Sequence, residues 1–180
     1  RDLVVAYRGN YRVVVPDHIG CGMSDKPQRY SYTLQRHIDN LLELVSYLNL
    51  DRITLLAHDW GGAIGLGAAL AAPDRFSRFV LFNTGAYPPP FIPWRIRLCR
   101  LPMVGSLAVR GLNLFARGAM WMATARPQRF TGSVKAGFLA PYDCWARRVA
   151  IDAFVRDIPC SRRLTARVPL ASAMYASGIQ

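Results

Sequence analysis

The stretch that decides the fold is residues 52–72, RITLLAHDWGGAIGLGAALAA. It begins with a short apolar run that has β-branched residues near its start, which is typical of a buried strand. Residues 63–72 are small and apolar and contain no proline, which predicts a buried helix. The strand therefore turns directly into the helix, and such a turn lifts the side chain of Asp59 above the edge of the sheet.

Small residues flank this turn on both sides, at Ala57, Gly61 and Gly62. They support an elbow because its backbone is strained and its helix packs closely on the sheet. The turn also directs the backbone N–H of Trp60 towards charge that develops above the sheet edge. An Asp before a helix is often only an N-cap. The strand before Asp59 and the small residues around it favour the elbow over that alternative.

A carboxylate at the tip restricts the chemistry. Its attack on an ester carbonyl would give an anhydride, whereas displacement at a saturated carbon gives an alkyl ester on the enzyme. A water activated by histidine can then hydrolyse that ester at its carbonyl. Asp59 therefore favours cleavage of carbon–halogen bonds, epoxides or the C–O bond of a strained lactone.

Residues 57–62, AHDWGG, resemble the nucleophile elbow of the haloalkane dehalogenase and epoxide hydrolase superfamily of α/β-hydrolases. Residues 16–27, PDHIGCGMSDKP, are similar to the loop after the fourth strand in that superfamily. Residues 81–88, 92–100, 110–118 and 135–159 are similar to one branch, the dehalogenase-like β-lactone decarboxylases of bacterial long-chain olefin synthesis. The resemblance runs from the first residue to about residue 159.

This resemblance implies an α/β fold, a parallel sheet wrapped by helices, with an inserted helical cap. It implies that Asp59 is the nucleophile, that Trp60 stabilises the leaving group and the oxyanion, and that no cofactor is used. The favoured substrate is a small hydrophobic molecule, a dialkyl β-lactone that is decarboxylated to an alkene. Haloalkane dehalogenation is second. Epoxide hydrolysis is third, because it would want paired cap tyrosines and only Tyr142 is a candidate, with Tyr87 at the boundary. A pseudoenzyme or binding subunit is the alternative without catalysis.

The catalytic histidine and its acid are expected outside this chain. In the family the histidine comes near the C-terminus, whereas His18, His37 and His58 come early. Asn83 stands at the position where some relatives carry the acid. We therefore expect a fragment that lacks both ends of the fold and is inactive alone. His37 is predicted at the margin of its helix, without a chemical role.

The order of patterns predicts three parts. Strands and helices alternate with short connections in residues 1–86, which predicts a parallel sheet wrapped by helices. The resemblance implies that this part is a partial α/β-hydrolase core. Its predicted elements are a helix end at 1–9, a strand at 12–15, an amphipathic helix at 33–49, the elbow strand and helix, and a strand at 78–83. Residues 87–159 follow a proline-rich boundary and are helical in character, which predicts the cap. Residues 160–180 have no clear period and stay unassigned.

The net charge of +12 is unevenly distributed. Residues 1–86 hold nine Lys/Arg against eight Asp/Glu, whereas residues 87–167 hold fourteen against three. Such a basic segment suits nucleic acid, an anionic membrane or an acidic partner. Its arginines alternate with apolar helix-core residues and no reader motif is present, which argues against nucleic acid. Three explanations of the basic charge remain: an anionic membrane surface, an acidic protein partner, or a solvated face without a target. Arg95, Arg97 and Arg100, which lie next to Trp94 in the sequence, are the first residues to test.

The four cysteines, Cys21, Cys99, Cys144 and Cys160, are scattered without a C-x-x-C pair. No metal site is therefore predicted, and free thiols in a reducing compartment are expected. No signal peptide is visible, and the apolar run near the elbow is about ten residues, too short to span a bilayer. The expected location is the cytoplasm or the cytoplasmic periphery of a membrane.

Overall fold

A computed structural model describes residues 2–84, 92–122, 126, 128 and 131–158 of the chain. Eight α-helices and two β-strands are assigned in these ranges. In chain order they are α1 (Asp2–Tyr7), α2 (Leu34–Tyr47), β1 (Ile53–His58), α3 (Trp60–Ala71), β2 (Phe76–Phe82), α4 (Trp94–Cys99), α5 (Val104–Ser106), α6 (Leu114–Met122), α7 (Gly132–Leu139) and α8 (Val149–Asp157). A π-helical turn, Leu107–Gly111, continues α5.

The two strands form a parallel pair joined through α3. Their register runs from Thr54 opposite Arg78 to His58 opposite Phe82. Helix α3 packs closely on β1, since a Cβ added at Gly65 would lie 2.6 Å from the Leu55 side chain. The order strand, helix, parallel strand confirms the α/β interpretation of this part of the sequence.

The prediction of a strand at residues 12–15 is wrong, because the structure forms no strand over residues 12–17. Their β-branched composition fits a strand, but a ladder needs a neighbouring strand to pair with. In the described ranges β1 and β2 pair only with each other. The side chain of Arg12 instead donates a hydrogen bond to the Leu48 carbonyl, at 3.1 Å.

Helix α2 is the amphipathic helix that the sequence predicts. It begins after Thr33, whose hydroxyl accepts a hydrogen bond from the backbone N–H of Arg36 at 3.3 Å. It ends before Asn49, which adopts a left-handed φ of 45°. Its apolar face packs on α3 through a buried cluster of Ile38, Ile64 and Ala68.

The helices of residues 92–158 pack against the loop that precedes α2. Gly20 of that loop has a φ of +89°, and a Cβ there would collide with the methyl group of Ala150 in α8. Glycine is therefore required at this position for both its backbone conformation and the close approach. Asp157, at the end of α8, accepts a hydrogen bond of 2.7 Å from the backbone N–H of Leu34 at the start of α2.

The helical character predicted for residues 87–159 is present in the part that the structure describes. The predicted boundaries near residues 87 and 159 and the tail at 160–180 lie outside the described residues. Among the helices that the structure describes, none combines the length and the apolar character needed to cross a lipid bilayer.

Candidate active site

Asp59 occupies a strained turn between β1 and α3. Its backbone has φ 49° and ψ −128°, a conformation that residues with a side chain rarely adopt. Strain of this kind costs about 1–3 kcal/mol and persists where the surrounding structure enforces it. The Asp59 side chain makes no capping hydrogen bond to α3. The N-cap alternative therefore lacks the contact that defines it, and the carboxylate is exposed.

Thr84 fixes the backbone of the elbow from the neighbouring strand. Its hydroxyl donates a hydrogen bond of 2.6 Å to the Asp59 carbonyl. A Cβ placed on Gly62 would collide with that hydroxyl. Gly62 is therefore the residue that lets Thr84 approach the turn. The sequence analysis missed Thr84, although its position directly after the strand next to the elbow strand is a usable signal.

The other two predicted support residues differ from Gly62 in their surroundings. Ala57 is buried at the end of β1. A Cβ on Gly61 would meet no atom within 4 Å, so packing does not require glycine there. The steric constraint on the turn thus falls mainly on Gly62.

Trp60 connects the elbow to α8. Its ring is partly buried and lies 4.9 Å from the ring of Phe154, measured between centroids, with the planes at 56°. It also packs against the α2–α3 cluster. Within the described residues, no acceptor receives a hydrogen bond from the Trp60 indole N–H. The first residue after Asp59 therefore anchors the elbow to the helices of residues 92–158.

His37 is fully buried rather than at the margin of α2, so that prediction is wrong. Its face of α2 is covered by Phe154 of α8, a contact over more than a hundred residues of sequence that helical periodicity cannot reveal. In the described ranges neither ring nitrogen has a hydrogen-bond partner. Burial and, to a smaller extent, the neighbouring His18 together lower the pKa of His37 to about 4.

The other two histidines lie in different surroundings. His18 lines a cleft of about 340 Å³ between its loop and α2. Burial lowers the pKa of His18, and Asp17 partly offsets this. His58 is exposed at the end of β1, next to Asp59 in sequence. In the described part of the chain, no histidine makes a hydrogen bond or ion pair with Asp59.

Tyr142 joins the region after residue 92 to the glycine-rich loop. Its hydroxyl accepts a hydrogen bond of 3.1 Å from the backbone N–H of Gly22. Burial raises the pKa of Tyr142. A second tie joins the same two parts, because Gln28 donates to the Ala146 carbonyl at 2.9 Å. Tyr142 and Gln28 therefore hold the glycine-rich loop against the region after residue 92.

Metal-binding residues are not grouped in the described ranges. No cluster there of three or more His, Cys, Asp or Glu could hold a metal ion. Cys21, Cys99 and Cys144 are free thiols.

The sequence is similar to those of curated enzymes from two groups. The cis-3-alkyl-4-alkyloxetan-2-one decarboxylase of Shewanella oneidensis is 42% identical over 165 residues, which are 88% of this chain and 52% of that protein. A haloalkane dehalogenase of Mycolicibacterium paratuberculosis is 32% identical over 157 residues, 83% of this chain and 48% of that protein. The chain thus spans about half the length of the curated relatives it matches.

Solved structures show the same fold. The crystal structure of a haloalkane dehalogenase from Agrobacterium tumefaciens has a TM-score of 0.72 and 25% identity, and the match covers 87% of this chain and 55% of that one. The family model described as alpha/beta hydrolase fold matches residues 3–98. These matches confirm the resemblance stated from the sequence. Because the family model covers more than half of the chain, this protein belongs to the alpha/beta hydrolase fold family.

Proposed function

We propose that this chain carries the nucleophile of an enzyme that decarboxylates dialkyl β-lactones to long-chain alkenes. The observation that carries the proposal is the strained backbone of Asp59, whose side chain is exposed and makes no capping bond. An N-cap does not require a strained backbone. A nucleophile does benefit from one that holds its carboxylate in an accessible position. The name of the Shewanella relative supports the choice of substrate.

In the first step a carboxylate oxygen of Asp59 attacks the saturated ring carbon that is bonded to the ring oxygen of the lactone. The C–O bond breaks, its electron pair stays on the substrate carboxylate, and an alkyl ester links Asp59 to the substrate. In the second step the bond between the neighbouring ring carbon and the carboxylate breaks. That electron pair forms the alkene, carbon dioxide leaves, and Asp59 departs as a free carboxylate.

Trp60 would assist the first step. Its indole N–H donates to the departing carboxylate, and its backbone N–H lies at the start of α3, where donors stabilise developing negative charge. The ring packs against Phe154, so the indole has a firm support on one side. Ala57 and Gly62 support the turn itself, and Gly61 stands beside them with open space.

The second candidate is haloalkane dehalogenation, in which the same attack expels a halide that the Trp60 indole binds. The ester then needs a water activated by histidine. His37 is buried against Phe154 and His58 precedes the nucleophile on its strand. We therefore infer that residues 1–180 alone give no repeated hydrolytic turnover. Epoxide hydrolysis stays third, because it would want two cap tyrosines and the described residues offer one candidate, Tyr142.

The test uses the full-length protein and a cis-dialkyl β-lactone, with alkene release as the readout. Asp59→Asn should abolish release, while Asp74→Asn, a change at another exposed Asp just after α3, should leave it intact. Alkene release that survives in Asp59→Asn would reject the nucleophile. No release by the unchanged protein, with halide release from a haloalkane, would favour the second candidate. If the full-length protein shows neither activity, the result would favour a binding subunit.

We also infer a location in the cytoplasm. The described cysteines are unpaired, which suits a reducing compartment. Labelling of free thiols in intact cells with a membrane-impermeant reagent should leave Cys144, the exposed one, unmodified until the cells are opened.

A further inference from the structure

Among the described residues, no cation of α4, α6 or α7 forms an ion pair with an acidic side chain. Residues 75–142 contain ten Lys or Arg and no Asp or Glu. In the described part of the chain the ion pairs are Arg147–Asp143 and Arg156–Asp152, both of which use acids beyond this span. The charge of α4, α6 and α7 is therefore not neutralised by neighbouring side chains.

Two exposed tryptophans in this span each carry a cation over the ring. The guanidinium of Arg95 lies 5.5 Å from the ring centroid of Trp94, and the ammonium of Lys135 lies 5.1 Å from that of Trp121. Trp94 is 66% exposed and Trp121 is 63% exposed. Large aromatic side chains at this exposure, paired with cations, are typical of a surface that meets a partner.

Arg95 also joins α4 and α6 into one surface. Its guanidinium lies 3.2 Å from the Met122 sulfur at the end of α6. Along α4, Arg97 and Leu98 lie three and four residues from Trp94, and Arg117 lies four residues before Trp121 on α6, so each shares a face with its tryptophan. We call this surface the Trp94–Trp121 face; it comprises Trp94, Arg95, Arg97, Leu98, Arg117, Trp121, Met122 and Lys135. Seven of the eight are exposed by more than a third, and none of them is buried.

Arg100 does not belong to this face, although the sequence grouped it with Arg95 and Arg97. Its guanidinium donates a hydrogen bond of 2.7 Å to the Ile158 carbonyl, which ties α4 to the end of α8. Its side chain is partly buried. Mutations that test this surface should therefore include Arg117 and leave Arg100 unchanged.

We propose that the Trp94–Trp121 face binds an anionic lipid membrane. Tryptophan and basic side chains are the residues that sit at the level of lipid headgroups. The absence of acids across 75–142 removes the repulsion that an anionic surface would otherwise meet. A fluid lipid surface needs no shape complementarity, so side chains from the short helices α4, α6 and α7 can contact it together. This inference is independent of the reaction proposed above.

The test is co-sedimentation of the full-length protein with vesicles of phosphatidylglycerol and phosphatidylcholine, or of phosphatidylcholine alone. Binding should require the anionic lipid and weaken as salt shortens the Debye length. Each cation near the surface is worth about fivefold in partitioning. The triple variant Arg95→Gln, Arg97→Gln, Arg117→Gln should thus bind about a hundredfold more weakly. The matched control is Arg8→Gln, Arg29→Gln, Arg36→Gln, which removes the same charge from exposed positions before β1 and should lose little.

Fluorescence quenching by brominated lipid supplies a second readout. Quenching should occur in the unchanged protein and fall in Trp94→Phe, Trp121→Phe, because Trp60 and Trp145 lie off the face. Equal losses in the triple variant and its control would overturn the proposal. So would equal binding to neutral vesicles. Binding of polyglutamate through the same three arginines, without binding to vesicles, would overturn it in favour of an acidic protein partner.

Discussion

The imidazole of His37 stacks on the phenyl ring of Phe154, with centroids 4.7 Å apart and planes 18° apart. The pair joins α2 to α8, and Phe154 also touches Trp60, the residue directly after Asp59. Because the histidine is fully buried and lacks hydrogen-bond partners among the described residues, its neutral form is strongly favoured in the fold. The seam between the elbow and the later helices therefore contains a group that resists protonation.

Acidification should weaken the fold through His37. Its pKa falls from 6.5 to about 4 on folding, so between these values the unfolded chain binds more protons. The contribution of neutral His37 to the free energy of unfolding is therefore fully present above pH 6.5. It is lost as the pH falls towards about 4, by up to about 3 kcal/mol. Urea unfolding across this range should show a flatter dependence in His37→Phe. The exposed His58→Gln should keep the slope of the unchanged protein; equal slopes in all three would contradict the assignment.

Glycine should be essential at 62 and dispensable at 61. In Gly62→Ala the new methyl group meets the Thr84 hydroxyl and displaces its hydrogen bond to the Asp59 carbonyl. We expect a loss of about 1–3 kcal/mol in unfolding free energy and a fall in activity. Gly61→Ala has open space and should change stability by less than about 1 kcal/mol.

A double variant tests the steric cause. Thr84→Ala makes room beside residue 62, so adding it to Gly62→Ala should cost less than the sum of the two single changes. Additive losses would mean that Thr84 and Gly62 act separately.

Arg148 should be among the residues most sensitive to replacement. It is buried and donates to the carbonyls of Arg110, Gly111, Tyr142 and Asp143, at 2.6–2.9 Å. Arg148→Met leaves these acceptors without their donor, and we expect a loss of about 3 kcal/mol or more. Lysine cannot reproduce the planar fork, so Arg148→Lys should recover only part of this.

The neighbouring Arg147 gives the matched control for that measurement. Its exposed ion pair with Asp143 should be worth less than about 1 kcal/mol. Similar melting temperatures for Arg147→Met and Arg148→Met would refute the role given to the carbonyl cluster.

Water enriched in heavy oxygen should separate the two candidate reactions at Asp59. Hydrolysis of an alkyl ester at its carbonyl places one solvent oxygen in the Asp59 carboxylate, which is expected with a haloalkane. Decarboxylation of the lactone ester releases Asp59 with its own oxygens. Mass spectrometry of the elbow peptide from the full-length protein should therefore show label only after haloalkane turnover. Label in another peptide, and none at Asp59, would move the nucleophile elsewhere.

The sequence alone determined the features that depend on short-range pattern. The apolar run, the small residues and the polar tip within 52–72 predict strand, turn and helix because each signal lies within a few residues of the next. The same locality predicted α2 and its Thr33 cap. The strained φ of Asp59 follows from that turn, and the structure adds its value.

Tertiary structure decided whatever depends on which distant segments meet. Residues 12–15 have strand composition but no partner in the described ranges, because pairing is a property of two segments. His37 lies in the seam because α8 covers that side of α2, and Arg100 is committed to the Ile158 carbonyl because α4 lies beside α8. Thr84 reaches the elbow only because β2 pairs in register with β1. Local composition states what a side chain can do, and long-range packing, which no short pattern encodes, selects the atoms it meets.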